Sequence, residues 1–276
     1  MEIYMFSKFK LEGITPYDFS GYEYYGRSFF DNYQAEIERS LQDFIDESGV
    51  IDGTKLQNTW FPVKTNFDVF LSHSHSDEKT AIALAGFLQK ELGLNTFIDS
   101  CLWGYSNELL KRIDIQYCMQ RNGEIFDYDK RNYSTSHVHM MLSIALTSMI
   151  DTCETIFLLN TPQSISLEED IKKAQTSSPW IYNELSIANI IRVRRIEDYR
   201  RQYTFLEHKD GVFANESAGL TIKYNVDDAL QDFLPLTVDE LKTCARSWKN
   251  NRRFFQNALD YIYLSKGIIS KQVLAD

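Results

Sequence analysis

Apolar and polar positions along the 276 residues change period several times, and each change marks an element. Phe67-Asp68-Val69-Phe70-Leu71 is a short, nearly continuous apolar run of strand length. It ends at the polar stretch Ser72-His73-Ser74-His75-Ser76-Asp77. A helical period follows through Ala81, Leu84, Ala85, Leu88 and Leu92, with Gly93 as its stop. Leu94 to Asp99 then reads as a second strand. Strand, helix and strand in about 33 residues is a βαβ unit, which predicts a parallel sheet with right-handed crossovers.

The stretch from Ser100 to Ser136 is polar and aromatic, with a short helix expected around Asn107–Ile115. A helix over Val138–Asp151 and a strand over Thr155–Leu159 come next. Ser178 as N-cap with Pro179 at the first helical position opens a helix that the pattern carries to about Arg194. Weaker strand signals lie at Tyr203–Leu206 and Leu220–Val226. Thr237-Val238-Asp239-Glu240 is a capping box ahead of a helix through Leu241 and Trp248, and a further helix runs from Arg252 to Leu264, ending at Gly267. Upstream of residue 66 the texture differs. Eight aromatics from Tyr17 to Tyr33 crowd together, and Ile37, Leu41, Phe44 and Ile45 share one helical face. The expected organisation is an aromatic, helical N-terminal extension (1–65), an α/β core (66–235) and a C-terminal helical tail packed on the core (236–276).

Composition narrows the function classes. Hydrophobic residues at 43% supply a sizeable core, and 29 basic against 39 acidic residues leave a net charge of −10. That balance argues against a nucleic-acid partner, because neutralising phosphates needs a basic face. The basic cluster Arg246, Lys249, Arg252 and Arg253 reads as a solvated helical face in so acidic a chain. Four cysteines without a CxxC pair read as free thiols in a reducing compartment. Charges interrupt the N-terminal MEIYMFSKFKLEG, and no apolar run approaches the 18 or so residues of a membrane span, so a cytoplasmic protein is expected.

Two places stand where an open parallel sheet puts its chemistry, beyond the carboxyl ends of strands. One is Ser72–Asp77, readable as a ligand loop and also as a capping box in which Ser74 and Asp77 start the next helix. No glycine-rich cradle accompanies it, so neither a P-loop nor a dinucleotide fingerprint is supported. The other is Trp180 with Glu184, four residues apart on one helical face. The helix dipole is expected to favour the charged form of Glu184, and a carboxylate beside an aromatic plane suits a ligand developing positive charge. The pairs His73/His75 and His137/His139 lack a completing ligand set, so no metal site is expected. A GxSxG nucleophile elbow is absent from the sequence.

In their order, these pieces resemble the Toll/interleukin receptor (TIR) domain. Phe67 to Ser74 with Asp77 resembles that family's first strand and loop, Leu94 to Asp99 its second strand, and Ile156 to Leu159 its central one. Ser178-Pro179-Trp180 with Glu184 is similar to the helix start where active members carry an aromatic residue and then the catalytic glutamate. The likeness spans about Asn66 to Pro235. The long Ser100–Ser136 segment and the poorly matched fourth and fifth strands depart from the family's pattern.

The resemblance implies a flavodoxin-like open parallel sheet and cleavage of NAD at the nicotinamide–ribose bond, with NAD as substrate and no cofactor. Glu184 would hold the ribose and its developing cation. Trp180 would wall the site, and Phe70, Leu71 and Ser72 would line the nicotinamide end, with His73, Asp99 and Trp103 completing the substrate contacts. The stand-alone form resembles the sensors of the bacterial Thoeris anti-phage system, which implies self-association through the TIR domain and an ADP-ribose-derived signal, linear or cyclic, that reaches a separate effector protein. Two alternatives stay open: a catalytically silent TIR scaffold acting by assembly, and a flavodoxin-like enzyme of nucleoside glycosyl transfer.

Overall fold

The computed structural model describes residues 4–28, 41–47, 49–63, 67–120, 125–168, 173–191, 193–196, 199, 223–252 and 255–269. Five strands form a wholly parallel open sheet: β1 (Ser7–Glu12), β2 (Val69–Ser72), β3 (Thr96–Ile98), β4 (Thr155–Leu159) and β5 (Leu234–Thr237). Across the sheet they run β5-β1-β4-β2-β3. One row of paired residues, Leu234, Phe9, Phe157, Leu71 and Ile98, crosses all five strands. This is the parallel α/β sheet that the periodicity predicts, in the flavodoxin-like open form that the resemblance implies.

The longer helices among the described residues are α1 (Gly53–Trp60), α2 (Glu78–Phe87), α3 (Ser100–Ile113), α4 (Tyr128–Thr152), α5 (Pro179–Ile190), α6 (Val238–Asn251) and α7 (Leu259–Ser265). Their contacts sort them into two groups, one on each side of the sheet as parallel crossovers require. The extension of α2 (Leu88–Leu92) packs on α6, which packs on α7, while α4 packs on α1, α3 and α5. Among the described residues, no helix is long and apolar enough to cross a membrane.

Part of the chain before residue 66 belongs to the sheet itself. Ser7–Glu12 is an inner strand between β4 and β5, with Phe9 and Leu11 fully buried and Lys8, Lys10 and Glu12 half-buried between them. That alternation is the signature of a strand whose two faces differ in polarity, whereas β2 and β4 are buried at every position. The segment that follows β1 is bound to the core by a close backbone approach. A Cβ on Gly86 of α2 would lie 2.2 Å from the Tyr22 carbonyl oxygen, and one on Gly26 would lie 1.9 Å from that of Ile82. Only glycine at both positions permits this contact.

Fully buried Leu241, Leu259, Ile262 and Tyr263 of the C-terminal segment belong to the core. The segment's second helix starts later than the periodicity suggests, at Leu259, because Asn257 organises the preceding turn. The Asn257 side chain accepts from the Leu259 N–H and donates to Asp68 Oδ1 at the foot of β2. The fifth strand is also displaced. Tyr224–Asn225 joins a separate antiparallel ladder with Lys173–Thr176 and Ser166–Glu168, and β5 is formed instead by Leu234–Thr237. Pro235 is tolerated there because β5 is an edge strand. Tyr203–Leu206 lies outside the described residues.

Candidate functional site

Three segments converge beyond the carboxyl ends of β2 and β3. The sheet order reverses between β2 and its neighbour β4, since the chain leaves β2 for the β3 edge and then returns to β4 on the other side. Such a switch point is where open α/β sheets bind ligands. Ser72 is the last residue of β2, and His73 follows it. Asp99 directly follows β3 and is the N-cap of α3, its carboxylate accepting from the Ser100 N–H at 2.7 Å. Glu184 projects from α5, whose start is fixed as the sequence predicts: Pro179 occupies the first turn and Ser178 Oγ accepts from the Ile181 N–H at 3.3 Å.

The four side chains form one cluster with no solvent-exposed surface. Ser72 Oγ donates to Glu184 Oε2 at 2.6 Å. Asp99 Oδ2 accepts from the His73 N–H at 3.3 Å, and His73 Nδ1 lies 2.5 Å from Asp99 Oδ1. The Glu184 and Asp99 carboxyls are near enough for each to influence the other's charge.

Burial is the largest influence on the charge of all three ionisable groups. It pushes the Glu184 carboxyl well above the usual range; the Asp99 charge adds to the rise, and the Ser72 hydroxyl opposes it. Asp99 is likewise raised by burial, against the N–H groups of His73 and Ser100 and the Glu184 hydrogen bond. Burial lowers His73 to about 4, opposed by the charges of Glu184, Glu78 and Asp77, so the imidazole is neutral at pH 7. Two adjoining dry carboxyls cannot both ionise cheaply. Asp99 receives two backbone N–H donors, which favour its charged form, whereas Glu184 receives only the Ser72 hydroxyl. The expected charged Glu184 is therefore corrected: the helix dipole contributes less than about 2 kcal/mol even in favourable settings, and desolvation outweighs it here.

The expected capping box is also different in detail. Ser74 makes no side-chain cap to the helix that follows. Its Oγ donates to Asp77 Oδ2 at 2.6 Å, and the same oxygen accepts from Thr161 Oγ1 at 2.5 Å. Ser164 Oγ, close to Thr161, accepts from the Ser74 N–H at 3.2 Å. The loop after β2 is thereby tied to the loop after β4. Thr161 and Ser164 escape sequence reasoning because they belong to no motif; their position just beyond a parallel strand is the one signal that points to them.

The other expected site residues are spread around this cluster. Phe70 and Leu71 are fully buried core side chains of β2, with the Phe70 ring 5.4 Å from that of Phe97. Trp180 is half-buried at the start of α5, its ring edge-on to His139 of α4 at 5.5 Å. Trp103 lies on α3, and its side chain is outside the described residues. The Ser100–Ser136 segment is mostly helix: α3 begins at Ser100, continues into a π-helical turn over Asp114–Cys118, and Asp114 accepts from Arg131 Nε and Ser134 Oγ of α4. An open groove of about 330 Å³ lined by Lys90, Trp248, Arg252 and Asn257 sits at the opposite, amino end of β2 and β3 and does not include the cluster.

No protein-family model, curated protein or solved structure matches this chain. Its chemistry is therefore read from the cluster itself: two buried carboxyls, Glu184 held by a hydroxyl and Asp99 by two backbone N–H groups. Such a pair can present a carboxylate to a cation.

Proposed function

We propose that the chain is a TIR-type enzyme that cleaves NAD at the nicotinamide–ribose bond, with Glu184 as the catalytic carboxylate. The reading is supported by one observation above others. Glu184 meets Ser72 and Asp99 beyond the carboxyl ends of β2 and β3, at the switch point of an open parallel sheet. Breaking the N-glycosidic bond builds oxocarbenium character on the ribose, and a carboxylate beside it stabilises that charge. Water as acceptor gives ADP-ribose; an adenine nitrogen or ribose hydroxyl gives a cyclic isomer. In this reading the protein acts in the cytoplasm, and the product is the diffusible signal of a bacterial anti-phage response, self-association of TIR domains accompanying its release to a separate effector. Because Glu184 is fully buried, the loops around the cluster must part to admit NAD.

That burial favours a second reading, a TIR scaffold whose Glu184 is a structural hydrogen-bonded acid. The purified protein, alone and with phage-infected lysate, is incubated with NAD and nicotinamide release is followed by chromatography. Release by the wild type and its loss in Glu184→Gln support the enzyme. Intact NAD with both proteins under each condition supports the scaffold, and turnover of nucleosides without NAD supports glycosyl transfer.

A further inference from the structure

The basic cluster of the C-terminal segment has one member that the fold uses differently from its neighbours. Lys249 pairs with Glu91, and exposed Arg246 donates to Thr243 Oγ1 of its own helix. Arg252, at the C-terminal end of α6, instead lines the groove of about 330 Å³ together with Lys90 from the extension of α2. Both side chains are exposed, and neither has a carboxylate within ion-pair distance among the described residues. In a chain of net charge −10, two unneutralised cations on one groove mark it for an anion. We propose that this groove binds a mononucleotide, with its phosphate on Lys90 and Arg252 and its base against Trp248. The proposal is independent of the NAD-cleavage reading.

The lining supplies each part of that recognition. No carboxylate is among the residues around the groove. The half-buried Trp248 indole gives an aromatic face on which a base stacks. Gln89 and Gln256 are exposed, and their carboxamides, engaged by no other described residue, offer a donor and an acceptor to the edge of the base. The Arg252 guanidinium carbon stands 5.9 Å from the Trp248 ring centroid, and Lys90 Nζ stands 4.7 Å from that of Tyr25, so each cation is held beside a ring. A guanidinium fork also matches phosphate oxygens in pairs. Small-molecule pockets run from about 300 to 1,000 Å³, and a groove at the low end of that range suits one nucleotide rather than a dinucleotide.

Both sides of the groove are fixed before a ligand arrives. Asn257 donates through Nδ2 to Asp68 Oδ1 at 3.2 Å and accepts at Oδ1 from the Leu259 N–H at 2.9 Å, while its own N–H donates to Asp260 Oδ2 at 3.2 Å. On the other side Gly93, with φ of 73°, ends the extension of α2, and its N–H donates to the Gln89 carbonyl at 2.9 Å. The Lys249–Glu91 pair joins that extension to α6. The nearby carboxylates Asp68, Asp260 and Glu91 are thus each engaged by donors of their own and leave Lys90 and Arg252 unneutralised. A site preformed in this way loses little affinity to reorganisation.

Calorimetric titration of the full chain with AMP tests the site without any turnover of NAD, so failure of the cleavage reading leaves its result intact. AMP should bind, and Arg252→Gln and Lys90→Gln should each weaken it about tenfold or more, the loss expected for one charge-assisted contact. Adenosine and inorganic phosphate, titrated separately, should each bind more weakly than AMP, and Trp248→Leu should weaken AMP while leaving phosphate unchanged. No heat of binding with AMP at about 1 mM, or an affinity unchanged in both charge variants, overturns the proposal. Phosphate binding as tight as that of AMP removes the role of the base and overturns it too. Glu184→Gln is titrated alongside, because AMP is half of NAD: an affinity lost there and kept in Arg252→Gln and Lys90→Gln places AMP at the buried cluster and overturns the groove. Thermal melts verify folding, and the two exposed charge variants carry the test even if Trp248→Leu does not fold.

Discussion

Replacing Glu184 by glutamine should stabilise the protein above neutral pH, by an amount that grows with pH. Glutamine has nearly the shape of the protonated acid, and its carbonyl oxygen accepts from Ser72 Oγ as the carboxyl does. The difference lies in the unfolded chain. There, Glu184 ionises near its ordinary value of about 4.3, whereas the folded protein retains the proton to well above that value. A group raised on folding contributes its stability in full below the unfolded value and loses it as pH rises through the folded one. Over that interval each proton held by the native state alone lowers stability by about 1.4 kcal/mol per pH unit. The variant lacks that loss, so its advantage should rise at about that slope from pH 5 or so upward. His73 acts with the opposite sign. Depressed to about 4, it loses stability as pH falls from about 6.5 towards 4, in both proteins, and largely cancels in the difference. Denaturant unfolding of both proteins between about pH 5 and 9 measures the slope. A difference that is flat with pH, or that favours the wild type increasingly as pH rises, refutes the protonated Glu184.

Other perturbations follow from the same geometry. Ser72→Ala removes the donor to buried Glu184 Oε2; it should cost about 1–3 kcal/mol in denaturant unfolding and lower any NAD turnover, since the anionic form loses its hydroxyl partner. Gly86→Ala should cost about 1–3 kcal/mol, because its Cβ falls 2.2 Å from the Tyr22 carbonyl oxygen, whereas Gly104→Ala on α3, with nothing within 4 Å of the added Cβ, should stabilise by about 0.5–1 kcal/mol through helix propensity; paired melting curves compare them.

Much of the sheet is legible in the sequence because it follows local rules. The apolar run before Ser72 and the strand Thr155–Leu159 are continuous because both faces of β2 and β4 are covered. Caps are equally local: Ser178-Pro179, the Thr237–Glu240 box and the left-handed Gly93 and Gly267 all lie where the pattern puts them. Strand order is not local. Nothing in Ser-Lys-Phe-Lys-Leu-Glu announces that it slips between β4 and β5, whose residues lie about 145 and 225 positions away. Its alternation fits any half-buried strand. The site divides in the same way. Glu184, Ser72 and Asp99 are each indicated by their place after a strand or a helix cap, and the fold brings these three together with His73. Their protonation is set by desolvation and by one another's charge, quantities of the assembled core, so a rule about helix dipoles applied to Glu184 alone gives the wrong sign.

NAD cleavage by Glu184 is the function we propose. Nicotinamide release, measured with the wild type and Glu184→Gln side by side at matched folded concentration, tests it most directly. The expected result is release by the wild type, in NAD alone or with phage-infected lysate, and none by the variant. Equal release by both, or intact NAD with the wild type under each condition, contradicts it.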